Sequence, residues 1–167
     1  MTRLSITKGL GLALGCAALC LNTPTRADDQ VPFKGYFNPI ILSATPLDAT
    51  HVRLELDTNV RATHLGNAGG PAFAILDLTT FAYVGGVTWA AANGDEVFIT
   101  FAGQFVLTET PGVRENVETF EVVGGTGRFE GATGAGSVGG QVDALTLAPL
   151  TPIPFVGTIS SPGSLKK

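Results

Sequence analysis

The sequence predicts an all-β protein, a small eight-stranded antiparallel β-barrel, on three observations. Apolar residues alternate with polar ones along several stretches, as in Val52, Leu54 and Leu56 against Arg53, Glu55 and Asp57, and no stretch holds a period of 3.6. Turn signals recur about every 8 to 14 residues, which favours a sandwich or barrel over any helical class. Eight of the 22 glycines fall between Gly124 and Gly140. Such a cluster weakens regular structure unless the backbone needs it, and strands that turn the corner of a closed barrel use glycine kinks and bulges.

Residues 1–27 are expected to be a signal peptide, leaving residues 28–167 as one β-barrel domain. Arg3 and Lys8 form a basic start, Gly9 to Leu21 an apolar run, and Thr25-Arg26-Ala27 ends in small residues where a peptidase reads. The apolar run is shorter than the roughly 20 residues that cross a bilayer, so no membrane span is expected. Cleavage near Ala27 would make the protein secreted or periplasmic. A competing reading lipidates Cys16, which follows Ala13-Leu14-Gly15, but the apolar run continues past it to Leu21. Both cysteines, Cys16 and Cys20, leave with the leader, so the mature fold stands on packing without a disulfide. Arg3, Lys8 and Arg26 leave too, and seven cations against fourteen carboxylates give a net charge of −7. That balance disfavours nucleic acid and anionic lipid as partners.

The elements follow in order. Asp28 to Pro32 reads as a polar leader, then Phe33 to Leu42 as a first strand or pair ended by the breaker run Ser43 to Asp48. Val52 to Asp57 is a half-buried strand with one charged, solvated face. Val60 to Leu65 is another, with Val60, Ala62 and His64 on one face, and Asn67 to Pro71 turns the chain. Ala72 to Leu78 is too short for a helix and reads as a strand. Phe81 to Ala90 follows, with Gly85-Gly86 marking a bulge or bend. Asn93-Gly94 is a hairpin turn, Val97 to Thr108 a long strand bent near Gly103, and Pro111-Gly112 the next turn. Val117 to Val123 enters the glycine cluster, where Phe129 is the large side chain to bury and Arg128 and Glu130 form an exposed ion pair. Ser137 to Leu147 and Phe155 to Ser160 complete the sheet.

The segment GGTGRFEGATG, Gly124 to Gly134, resembles the GGTG-x-F-x-x-A-x-G motif of the dirigent and allene oxide cyclase barrels. It also resembles a group of exported bacterial proteins, which share ATHLG (Ala62 to Gly66), AANGD (Ala91 to Asp95) and F-x-GTISSPG (Phe155 to Gly163). The resemblance implies a calycin-like barrel whose lumen is either filled or holds one small ligand. Binding of a small apolar molecule, or an envelope role without catalysis, is the leading expectation. The alternative is an isomerase or cyclase acting on a lipid or phenolic substrate inside the barrel, since one fold hosts many functions. The earlier strands, where the plant enzymes keep their acidic catalytic residues, carry no matching motif.

Other chemistries fit poorly. Gly134-x-Gly136-x-x-Gly139 spells a dinucleotide fingerprint, but Pro149, Pro152 and Pro154 forbid the helix that must follow it. His51 and His64 are the only histidines, and with no cysteine left after cleavage neither a metal site nor a cofactor is expected. An outer-membrane barrel would need two aromatic girdles, which one Trp and two Tyr cannot build. Four residues remain as candidates for the lumen. His64, beside the small Ala62, could titrate near neutral pH. Tyr83 and Trp89 combine an apolar body with a polar tip. Glu118 is the acidic candidate for lumen chemistry. The oligomeric state stays open, a homo-oligomer included.

Overall fold

Eight antiparallel strands, each paired with the next and β1 paired with β8, close a barrel in simple chain order. The computed structural model describes residues 29–160 and 162–163. The expected leader peptide and Cys16 therefore lie outside the described residues. The strands are β1 (Gln30–Pro46), β2 (His51–Ala62), β3 (Gly66–Asp77), β4 (Ala82–Ala91), β5 (Glu96–Leu107), β6 (Val113–Gly125), β7 (Gly134–Asp143) and β8 (Ile153–Ser160). Closure leaves most of the sheet without an edge, and it makes every second residue face inward. Along β6 the inward row is Asn116, Glu118, Phe120 and Val122, and the outward row is Glu115, Val117, Thr119 and Glu121.

Long-range pairing overrides several local signals. β1 starts at Gln30, inside the expected polar leader, because Gln30 to Phe37 pair with Ser160 to Ile153 and bury Phe33 completely. It also runs through the expected breakers to Pro46, pairing there with Val52. Proline is tolerated because β8 ends its pairing at Phe37, leaving this half of β1 an edge. The two short strands expected before residue 66 are one, β2, and the chain turns at residues 63–65. Asn67 to Pro71 is strand, paired with Arg61 to Asp57. Gly69 belongs there on steric grounds, since a Cβ would lie 2.5 Å from the Thr58 carbonyl oxygen.

Gly85-Gly86 is not a bulge either, for pairing with β3 continues through it without a shift. Its role is space: a Cβ on Gly85 would sit 2.5 Å from the Phe101 ring of the neighbouring strand. Bulges occur at Leu42, and at Val123 where Phe98 pairs with Gly124 but Ile99 with Val122. The second opens the glycine cluster, whose curvature was expected. Beyond it a 3-10 turn over Gly127–Phe129 buries Phe129 almost fully. That turn breaks the expected Arg128–Glu130 pair by ending strand alternation. Arg128 instead lies 3.4 Å from Asp95 and over the Phe129 ring.

The two ends of the barrel differ. At one, Phe33, Trp89, Phe120 and Phe155 stack with centroids 5.2 to 6.4 Å apart. Each such pair adds about 0.5–1.5 kcal/mol beyond burial, and together they make a solid floor. The other end carries the β1–β2, β3–β4, β5–β6 and β7–β8 connections. Three of these are tightened by an aspartate accepting backbone N–H groups: Asp48 from Thr50 and His51, Asp77 from Thr79, and Asp143 from Thr146. These bonds hold all three carboxyls below their ordinary range.

Candidate functional site

Above the aromatic floor the barrel is hollow, with a cavity of about 390 Å³. Its walls are mainly inward-facing apolar side chains, among them Leu54, Leu56, Ala74, Leu76, Val87 and Ile99. Pro39 to Ile41 of β1 and Thr146 to Ala148 of the β7–β8 connection frame the mouth. The paired alanines Ala72 and Ala74 leave room that larger residues would fill.

Three of the four candidate residues meet in this lumen. Trp89 lies on the floor, its indole N–H donating to Thr58 Oγ1 at 3.0 Å, while the Thr58 hydroxyl donates to the Gly70 carbonyl at 2.8 Å. Tyr83 and Glu118 stand higher. The Tyr83 hydroxyl lies 2.7 Å from Glu118 Oε2 and in close hydrogen-bond contact with Asn116 Oδ1. Phe101 and Phe105 flank the phenol, with centroids 6.1 and 4.8 Å from its own.

The contact depends on a glycine between the partners. Tyr83 pairs with Gly103 of β5, and Gly103 pairs in turn with Glu118 of β6. A Cβ on Gly103 would sit 2.6 Å from the Tyr83 oxygen and 2.7 Å from Cζ. With no side chain there, the phenol crosses the whole width of β5 and reaches the next strand but one. The expected bend near Gly103 is in fact this passage.

Burial decides the electrostatics. Glu118 is raised from an ordinary carboxyl value to about 7, because burial penalises its charge more than the bonds from Tyr83 and Asn116 favour it. The Tyr83 phenol is pushed far above its ordinary value, first by burial and then by Glu118. The cluster has one phenolic proton for two acceptors. When Glu118 is protonated it donates to the Tyr83 oxygen, which then donates to Asn116, and all three groups are satisfied. A buried, hydrogen-bonded acid at this depth can lend or take one proton near neutral pH.

His64 is not part of the site. It lies in the β2–β3 turn with φ of 66°, exposed, and its Nε2 is 3.1 Å from the Pro32 carbonyl oxygen. Thr63 beside it donates to the same carbonyl at 3.0 Å. The alternation Val60, Ala62, His64 assumed a strand that the turn cuts short. Asn116, Thr58, Phe101 and Phe105 are lumen residues that local patterns did not single out. For the two phenylalanines the signal was present, as Phe101, Gly103 and Phe105 share one face of a strand. Asn116 lay outside the strand as expected, which began at Val117. Among the described residues no group of three His, Cys, Asp or Glu is placed to hold a metal ion, and no helix is long and apolar enough to cross a membrane.

No protein-family model matches the sequence, and no curated protein matches it. Among solved structures, that of a pterocarpan synthase dirigent protein is similar, with a TM-score of 0.51 at 18% identity over 83% of this chain and 88% of that one. At this identity the likeness concerns the fold alone: the chain is an all-β, eight-stranded barrel of dirigent-like fold.

Proposed function

We propose that the protein binds a small, largely apolar molecule in the barrel lumen, with one polar group of that molecule against Tyr83, Asn116 and Glu118. The observation that carries this reading is the cavity of about 390 Å³, largely apolar, open at one end and with Tyr83, Asn116 and Glu118 converging in it. That is the usual make-up of a small-molecule site. An apolar fluorescent probe should bind the parent and be displaced from Ala74→Phe, which fills the lumen from an inward-facing position. Equal binding by both proteins would place the probe elsewhere, and no binding by the parent would end the reading.

The second reading, an isomerase or cyclase for a lipid or phenolic substrate, is favoured by one observation, the Glu118–Tyr83 pair with its carboxyl near 7. Under it Glu118→Gln abolishes turnover while probe binding persists. Under the binding reading no turnover exists to lose.

The chain is further proposed to belong with exported bacterial barrels, losing residues 1–27 on the way out. ATHLG, AANGD and the closing F-x-GTISSPG support this, as does the basic, apolar, small-residue order of the leader. Intact mass of the exported protein should correspond to a start at Asp28. A mass fitting an acylated Cys16 start would replace the soluble form with a lipoprotein.

A further inference from the structure

We propose that the lumen takes an organic ammonium, an apolar amine whose cationic head lies between the Glu118 carboxylate and the rings of Tyr83, Phe101 and Phe105. This rests on the lumen-binding reading above and adds the charge of the ligand to it.

The argument begins with charge balance inside the barrel. No lysine, arginine or histidine is among the described residues that line the cavity, and Glu118 is its single carboxylate. The one titratable group facing Glu118 from β4 is the Tyr83 phenol, at 2.7 Å. From the strands paired with β6, the positions opposite Glu118 are Gly103 and Val138. Across the lumen β2 and β3 present Leu54, Ala74 and Leu76. Arg114, on the same inward row of β6 toward the mouth, does not line the cavity, and its Nε is buried without a partner. Its guanidinium lies 3.6 Å from the Phe81 ring centroid and donates to the Phe105 carbonyl at 3.1 Å.

An ionised Glu118 therefore has no cation among the residues that line its cavity, and burial makes it hold its proton to about 7. A ligand carboxylate would add a second negative charge to a lumen without a cation. An alcohol would make hydrogen bonds but leave the charge uncompensated. An ammonium supplies the missing charge, and the aromatic faces around it are the other feature that favours a cation: rings attract cations by their quadrupole, most strongly where water is excluded. Tyr83 and Phe105 pack against each other, with centroids 4.8 Å apart, and Phe101 meets the Tyr83 ring at 6.1 Å, so the three rings form one aromatic wall whose Tyr83 member reaches the carboxylate.

Proton linkage follows. An alkylamine stays protonated up to about pH 10, as a lysine does. Pairing with ionised Glu118 expels the carboxyl proton at pH below 7, so amine affinity rises with pH from 5.5 to 8.0. The test is calorimetric titration of the purified protein with 4-phenylbutylamine, 4-phenylbutanol and 4-phenylbutyrate, followed also by fluorescence of Trp89, the single tryptophan. At pH 8.0 the amine should bind at least about tenfold more tightly than the alcohol, with butyrate weakest. Amine affinity should fall about thirtyfold between pH 8.0 and 5.5, where the ionised form is a small fraction. Glu118→Gln, first shown by its thermal transition to be folded, should lose both the pH dependence and the preference for amine. If it does not fold, the ligand order and pH series of the parent decide. Alcohol binding as tightly as amine at pH 8.0, or amine affinity independent of pH, would overturn the inference while leaving the lumen site standing. Silence from all three compounds would remove the lumen-binding reading itself.

Discussion

At the scale of single residues, Gly103 and Glu118 carry the most consequence. Gly103→Ala puts a methyl group where the Tyr83 oxygen and the Val117 carbonyl oxygen already stand, at 2.6 and 2.8 Å. The phenol must withdraw and leave Glu118 and Asn116 without it. A stability loss of about 1–3 kcal/mol is expected from the unmade buried hydrogen bond, read from urea unfolding. An unchanged midpoint would mean that Tyr83 reaches Glu118 by another route. Glu118 sets a pH dependence whose sign is fixed by its shift. Unfolded, it loses its proton near 4.5, and folded it keeps it to about 7. Its stabilising contribution is therefore complete below 4.5 and is lost as pH rises through 7, by roughly 3 kcal/mol. Glu118→Gln should flatten this limb. Asp48, Asp77 and Asp143, held low by their turns, act in the opposite sense and only in acid: their contribution is present above about pH 4 and is lost as pH falls below it.

Among the elements, β8 is the one on which closure depends. It pairs with β1 from Ile153 to Ser160 and with β7 from Phe155 to Ile159, and it supplies Phe155 to the floor. Removal of Phe155 to Lys167 exposes two strand edges and takes away the ring that touches Phe33, Trp89 and Phe120. The shortened protein should fail to fold cooperatively, as judged by circular dichroism and a thermal melt. Retention of the parent's transition would show that seven strands suffice. The outer half of β1 behaves differently: β8 stops at Phe37, so Ile40, Ile41 and Leu42 remain exposed beside the mouth. Pro46 at the end of that edge removes one donor from a strand that has no second neighbour there.

The whole molecule is asymmetric along its axis, packed at one end and hollow at the other. Phe33 is fully buried among three other rings, whereas Phe105 stands at the open end and is only partly buried. Phe33→Ala is expected to cost about 3–5 kcal/mol, the usual range for a buried ring replaced by a cavity. Phe105→Ala should cost distinctly less and should weaken probe binding, since it enlarges a space that already exists. Paired melts and probe titrations of the two variants separate the ends. Equal destabilisation would mean that the lumen walls are as tightly packed as the floor. The same asymmetry assigns roles to the two sets of connections: the aspartate-tightened turns frame the mouth, and the glycine-rich hairpin with Phe129 plugs the base.

The sequence by itself determined the class of this protein. Alternation in Val52 to Asp57, the turn signals at Asn93-Gly94 and Pro111-Gly112, and the glycine cluster around Phe129 are local features, and local features are what period and turn chemistry report. They placed eight strands in a closed barrel, and Tyr83, Trp89 and Glu118 as candidates for its interior. Where the reading failed, pairing between distant strands had overruled a local signal. Gly69, Gly70 and Pro71 look like a turn but lie in β3 because β2 pairs with them, and Ser43 to Pro46 look like breakers but extend β1 against Val52 to Glu55. His64 was misplaced for the related reason that β2 ends at Ala62, three residues earlier than expected, and the turn that follows removes His64 from the inward row. Only the tertiary structure decided that Tyr83 and Glu118, 35 residues apart, meet across Gly103. Alternation says which face a side chain takes, but register between strands says which side chains touch, and register is set by the closure of the whole sheet.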